Sequence, residues 1–299
     1  MNKFLKKTAL FLIILLGINM ILFMVGKKLY FGAYSKHSLK YKTYLLSDSH
    51  GVPLKNFTEK YGVYNFSAES DSYFDMNRKL KYLIKKVKLD TVYLTADDHT
   101  LSPYREIVSN EERSLIYSIP DEYDNYYEYL KDRYLRYYLV LFQPNTRSVI
   151  RRYVFEMAER IFETVDNDNN HEEIIPWNEM SEEDRISNSE QRALSQFPAA
   201  GHSDSLKISL LEIIETCKEN KITLIGVKFP LSSEYVEILD GKTYGAEDVL
   251  KSNGIDVLDY TDSFKNRNQY FANQDHLNDD GGQKFAELLY NLPKRKSIN

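Results

Sequence analysis

Five short runs of apolar residues rich in Val, Ile, Leu and Tyr recur along the chain, at residues 44–46, 62–68, 90–97, 221–230 and 254–261. Each is too short for a helix and ends in a polar or turn-forming cluster, so each predicts a buried strand. Between them the spacing changes. In residues 75–88, DMNRKLKYLIKKVK, the apolar Met76, Leu80 and Leu83 fall three to four apart, and residues 203–221, SDSLKISLLEIIETCKENK, repeat that period behind a Ser or Asp cap. Strands alternating with helices imply right-handed crossovers in a parallel sheet. The expected fold is therefore α/β, a doubly wound five-stranded parallel sheet of the flavodoxin-like kind.

About 120 residues separate the third run from the fourth, far more than one crossover needs. A helical insertion at about 105–205 accounts for them. Residues 122–142 and 146–163 read as two helices parted near Pro144, followed by an acidic stretch at 166–173 and a loop from Trp177 to Gly201. Of the 24 tyrosines, seven lie between Tyr123 and Tyr138. Such density suits stacking on sugars or a membrane-facing rim, and equally the core and flanks of the inserted helices.

The first 30 residues follow a different pattern. Thr8 to Val25 carry no charge over 18 residues, behind Lys3, Lys6 and Lys7. Basic then apolar is the order of a signal anchor, and no small-residue cleavage site follows Val25. The expectation is a single-pass membrane protein: an anchor at residues 1–30 inserted in a lipid bilayer through residues 8–25, and an extracytoplasmic domain at 40–292. Residues from about 35 onward are expected to fold without the apolar segment.

Composition narrows the chemistry. A hydrophobic content of 42% supports a sizeable core. The net charge of −5 lacks the basic excess of a nucleic-acid binder. Cys217 is the single cysteine, so no internal disulfide exists. His37, His171 and His202 read as solvated. No His/Cys/Asp spacing matches a usual metal-ligand set, although Asp97 and His99 form an Asp-x-His pair, and no cofactor is expected.

Ligands bind beyond the carboxyl ends of the strands in open parallel sheets. That rim would collect Ser47 to His50, Ser67 to Asp71, Asp97 to Thr100, and the late sequence FANQDHLNDDGGQKFAELL. A serine and a histidine brought together there could transfer an acyl group, the imidazole taking the hydroxyl proton.

On these residues the chain resembles the SGNH hydrolase superfamily, the GDSL-type esterases, over about residues 40–290 outside the insertion. The resemblance rests on Ser49 in LLSDSH and His276 in NQDHLN followed by a terminal helix. It implies Ser49 as nucleophile and His276 as base. It further implies an oxyanion site made by the Ser49 N–H, a backbone N–H at Ser70, which stands at the family's glycine, and a side chain at Asp97, which stands at the family's asparagine. A carboxylate cannot donate unless protonated, so either Asp97 is the neutral acid or His99 or His50 supplies that donor; His99, two residues beyond Asp97, fits better. The family's orienting aspartate falls at Asn273, with Asp275 next to the histidine. Asn273 is expected to hold the imidazole, and Asp275 to be exposed or to cap the last helix, because adjacent residues usually project differently. The resemblance implies a serine esterase or O-acyltransferase acting on acyl groups, acetyl foremost, of a cell-surface polysaccharide or other acylated glycan, beside a multi-spanning membrane acyltransferase. The alternative is a catalytically impaired binding or assembly module for polysaccharide export or modification, which the altered second and third blocks favour.

Overall fold

The computed structural model describes residues 2–163 and 175–291; the acidic stretch at 166–173, with His171, falls outside them. By compactness the chain forms two units. One comprises Met1–His37 with Glu111–Glu172, the other Ser38–Asn110 with Glu173–Asn299.

The second unit is built on a five-stranded, fully parallel sheet: β1 (Thr43–Leu46), β2 (Val63–Asn65), β3 (Thr91–Thr95), β4 (Thr223–Lys228) and β5 (Asp256–Asp259), in the order β2-β1-β3-β4-β5. All five apolar runs become strands. The longer helices are α1 (Asn2–Gly26), α2 (Tyr73–Lys86), α3 (Pro144–Glu163), α4 (Glu182–Gln196), α5 (Asp204–Glu219) and α6 (Asp279–Tyr290). Alternation along β1 sends Leu45 to one face of the sheet and Tyr44 and Leu46 to the other, and all three are fully buried. Leu45 joins Leu54, Val227, Phe229, Phe285 and Leu289 in a core that ties α6 and the 3₁₀ segment Val52–Tyr61 to the sheet. α2 and α5 pack on each other. The chain leaves β1 outward to β2 and returns to β3, so the switch point of the topology lies between β1 and β3. The loop carrying Ser49 opens there.

The residues expected to form a loop from Trp177 to Gly201 instead contain a helix of 15 residues, α4. Its face is mostly polar, which hid the helical period. The end signals are nonetheless present: Ser181 caps it, accepting from the Asp184 N–H, and Glu182, Glu183 and Asp184 fill its first turn.

The first unit contains α1, one helix long and apolar enough to span a membrane, with a mean hydropathy of 2.7 over its richest window. It packs against α3 and the turn Val140–Phe142. Phe31, Leu115 and Tyr137 form the buried centre of this unit, flanked by Phe23, Tyr30 and Ile116. The tyrosines of the insertion divide accordingly: Tyr137 is core, while Tyr126, Tyr127, Tyr134 and Tyr138 are exposed.

Candidate active site

Beyond β1 the chain turns sharply. Asp48 accepts the N–H of His50 on its side chain and that of Gly51 on its carbonyl, leaving Ser49 half-buried at the tip. Gly51 is required here, because a β-carbon would collide with the Ser67 hydroxyl and approach Ser47 Cβ to 2.7 Å. Beyond β2, Ser70 adopts φ +66°, the left-handed backbone that glycine favours. The N–H groups of Ser49 and Ser70 and the Ser49 hydroxyl have no hydrogen-bond partner among the described residues.

Before α6 a tight loop is closed by the Phe271–Leu277 bridge and by the Ala272 N–H donating to His276 O at 2.8 Å. Asn278 caps α6 by accepting from the Gly281 N–H at 2.9 Å. Within the loop the Asn273 amide oxygen accepts from the backbone N–H of Asp275 and of His276, and from His276 Nδ1 at 2.9 Å. His276 Nε2 is left without a partner among the described residues. Ser49, Ser70, Asn273 and His276 line one open cleft of about 450 Å³, joined by Arg192 and by Arg105, whose guanidinium donates to Asp71 O and lies 3.5 Å from Asp48 Oδ2.

Asp275 is neither exposed nor a cap. It is buried, and its Oδ2 accepts from Arg192 Nε at 2.7 Å and Gln196 Nε2 at 2.9 Å, two residues one helical turn apart on α4. Its Oδ1 lies 2.9 Å from His276 Nδ1, outside hydrogen-bonding angle because that N–H is aimed at Asn273. Adjacent residues reach one nitrogen because the loop folds back on itself. Burial pushes the Asp275 carboxyl up, but the adjacent rings of His276 and His50 and the Arg192 guanidinium outweigh it and hold it well below the usual range.

The other three candidates do not enter the cleft. His50 is 2% exposed, with Nδ1 at 2.8 Å from Asp97 Oδ2 and Nε2 at 3.6 Å from Asp275 Oδ2. Burial lowers its pKa, yet the charges of Asp48 and Asp97 and the carboxylates of Asp275 and Asp97 beside its two nitrogens raise it well above the usual value. His99 is buried with Nε2 at 3.1 Å from Asp48 Oδ2, and burial lowers its pKa. Asp97 accepts on both oxygens, from Thr95 Oγ1, His50 Nδ1 and the Phe229 N–H at 2.9, 2.8 and 2.7 Å. None of these three is placed to donate to an oxyanion in the cleft. Burial raises Asp48, but His50, the hydrogen bond of His99 and Arg105 carry it well below the ordinary value.

Two sets of groups bring their ligand atoms within 4.8 Å of one another as a metal site would, His50/Asp275/His276 and Asp48/His50/Asp97. In both, His50 stands beside a carboxylate, Asp97 at 2.8 Å and Asp275 at 3.6 Å. The observed order Asp97–His50–Asp275–His276 is a buried chain of alternating acid and imidazole that ends in the cleft. Sequence reasoning missed Arg105, Arg192 and Gln196. For Arg192 and Gln196 the only local signal was an i, i+4 pair on a helix that itself escaped notice; Arg105 lies on the separate short turn Tyr104–Ile107.

No family model matches the chain, and no curated protein is similar to it. Among solved structures it is similar to that of a protein from Bacteroides fragilis provisionally described as an acylhydrolase, at 10% identity and a TM-score of 0.40, over 88% of this chain and 92% of that one.

Proposed function

We propose that this chain is an SGNH-type serine esterase or O-acyltransferase, held at the membrane by α1 with its parallel-sheet unit on the extracytoplasmic side. One observation carries the reading: Ser49 and His276 line the same open cleft, with His276 Nδ1 held from behind and Nε2 unoccupied. The Ser49 hydroxyl attacks an acyl carbon, and His276 Nε2 takes its proton. The oxyanion receives the free N–H groups of Ser49 and Ser70, and the Arg105 guanidinium stands in for the side-chain amide of the resembling family. The imidazolium then protonates the leaving group, stabilised by the Asp275 anion beside it. Release to water gives hydrolysis; release to a sugar hydroxyl gives transfer. An acetylated cell-surface glycan is the substrate class the resemblance suggests, with a multi-spanning acyltransferase as the supplier of acyl groups.

Turnover of p-nitrophenyl acetate by the full-length protein in detergent tests this. Ser49→Ala and His276→Ala should each lose about a thousandfold, roughly 4 kcal/mol of barrier. Wild-type rates in either folded variant would end the reading. The second reading, a binding module, is favoured by the carboxylate at position 97. It predicts no turnover by the folded wild type, and glycan binding that Ser49→Ala leaves unchanged.

A further inference from the structure

We infer that the elbow of the inserted helices, residues 134–142, is embedded in the acyl-chain region of the bilayer beside α1, with lipid as its occupant. The inference rests on the reading that α1 spans the membrane. Asn19, deep in the uncharged stretch of α1, is only 7% exposed. Its side chain is held by the insertion: Nδ2 donates to Tyr138 O at 3.0 Å, and Oδ1 accepts the Leu141 N–H at 3.4 Å. Asn19 precedes Lys27 by eight residues, about 12 Å along a helix axis. If everything from Asn19 outward stood in water, Thr8 to Ile18 alone would have to cross. That is roughly 16 Å against about 30 Å of hydrocarbon. The span closes only if Asn19, and therefore the elbow bonded to it, lies inside.

The elbow is built for that medium. Where a helix stops, its last four carbonyls are normally left to water. Here the six successive carbonyls from Leu135 to Val140 are all satisfied within the protein. Leu135 O accepts from the Leu139 N–H at 2.9 Å, and Arg136 O and Tyr137 O both accept from Gln143 Nε2 at 2.6 Å. Tyr138 O is taken by Asn19, Leu139 O by the Phe142 N–H at 2.9 Å, and Val140 O by the Gln143 N–H at 3.0 Å. Non-helical backbone at membrane depth requires such internal pairing. Of the neighbouring charges, Arg136 reaches Asp132 at 3.0 Å and Glu111 at 3.1 Å, while Arg133 lies over the rings of Tyr134 and Tyr137 with its Nη1 unpartnered among the described residues. What the elbow turns outward is Tyr134, Leu135, Tyr138 and Phe142, the last 72% exposed. Apolar side chains facing out over these six satisfied carbonyls fit acyl chains; the Val140 N–H and the Leu141 and Phe142 carbonyls, at the tip of the elbow, have no partner among the described residues. α1 also lets the insertion come close, since a β-carbon at Gly26 would come within 3.0 Å of the Thr146 methyl.

The test is fluorescence quenching of the full-length protein in phosphatidylethanolamine/phosphatidylglycerol vesicles, in a Cys217→Ala background. A polarity-sensitive dye is placed at Phe142→Cys, at Leu135→Cys as an independent second site, and at Ile18→Cys on α1. Nitroxide-labelled acyl chains should quench positions 142 and 135 to within about twofold of position 18, with little quenching by aqueous iodide. Lipid quenching at 18 with iodide quenching at both elbow sites would overturn the inference and leave the spanning helix intact. Absence of lipid quenching at 18 as well would overturn the spanning reading and this inference with it. Lipid quenching at 18 but shielding of 135 and 142 from both quenchers would assign the elbow to another protein chain and overturn lipid as its occupant.

Discussion

Asn273 and Asp275 meet on a single nitrogen of His276, and their chemistry differs enough to separate them. The asparagine oxygen accepts from the ring and sets its direction; on the proposed mechanism the aspartate, 2.9 Å away, would stabilise the charge that forms on the ring during acyl transfer. Asn273→Ala should therefore cost about tenfold in kcat, since Asp275 Oδ1 remains beside the ring, whereas Asp275→Asn should cost about a hundredfold, roughly 2.7 kcal/mol. The reverse ranking, from steady-state kinetics on folded variants, would return the main role to Asn273. At Ser70 the left-handed backbone costs an L-residue about 1–2 kcal/mol, partly offset in glycine by its extra freedom when unfolded. Ser70→Gly should accordingly raise stability by up to about 1 kcal/mol in urea titration, and a loss would show that the serine side chain compensates. The buried charges set the pH response. Asp48 and Asp275 sit below the carboxyl value of 3.8, so their contribution is complete above it and disappears as pH falls through their lowered values. His50 sits well above 6.5, so its contribution is complete below 6.5 and disappears as pH rises through its raised value. A histidine NMR titration paired with unfolding curves checks this: stability that stays flat while His50 deprotonates would contradict it.

The strands were readable because short, continuous apolar runs with polar ends have few other fates, and α2 and α5 because three-to-four spacing repeats for several turns. α4 was not readable by that signal, since a helix covered on one side by polar partners such as Asp275 and Tyr235 needs no apolar stripe. The same blindness hid Arg192 and Gln196, and it explains why Asp275 was expected at the surface: nothing local announces a cation arriving from 83 residues away. The surroundings of His50 and His99 were not legible for a related reason, because a histidine at a strand end looks alike whether it faces a cleft or buried carboxylates. The docking of α6 was partly legible in the Gly281-Gly282 pair. A β-carbon at Gly282 would strike the Pro53 carbonyl, and one at Gly281 the Tyr270 carbonyl. Gly282→Ala should therefore push α6 away from the segment Val52–Tyr61, costing about 1–3 kcal/mol, and should lower turnover by shifting the loop that presents His276. Wild-type melting and kinetics in that variant would mean the contact relaxes without cost.

Across the chain, α1 and the insertion form one compact unit, which changes the expectation for a protein that begins near residue 35. Without α1, Tyr138 O and Leu141 N lose Asn19, and the cluster of Phe31, Leu115 and Tyr137 loses Phe23 and Phe31. A chain starting at Ser38 should keep slow hydrogen exchange in β1, β3 and β4 but lose protection across 115–143; full protection there would show that the insertion folds by itself. The sheet unit holds every residue of the cleft and so, on the proposed function, would carry the chemistry, and the most direct measurement of that chemistry is covalent. Full-length protein treated with a fluorophosphonate should be labelled on the peptide containing Ser49, with labelling abolished in Ser49→Ala and strongly slowed in His276→Ala. No labelling of the folded wild type, or labelling that survives Ser49→Ala, would contradict a nucleophile at the end of β1.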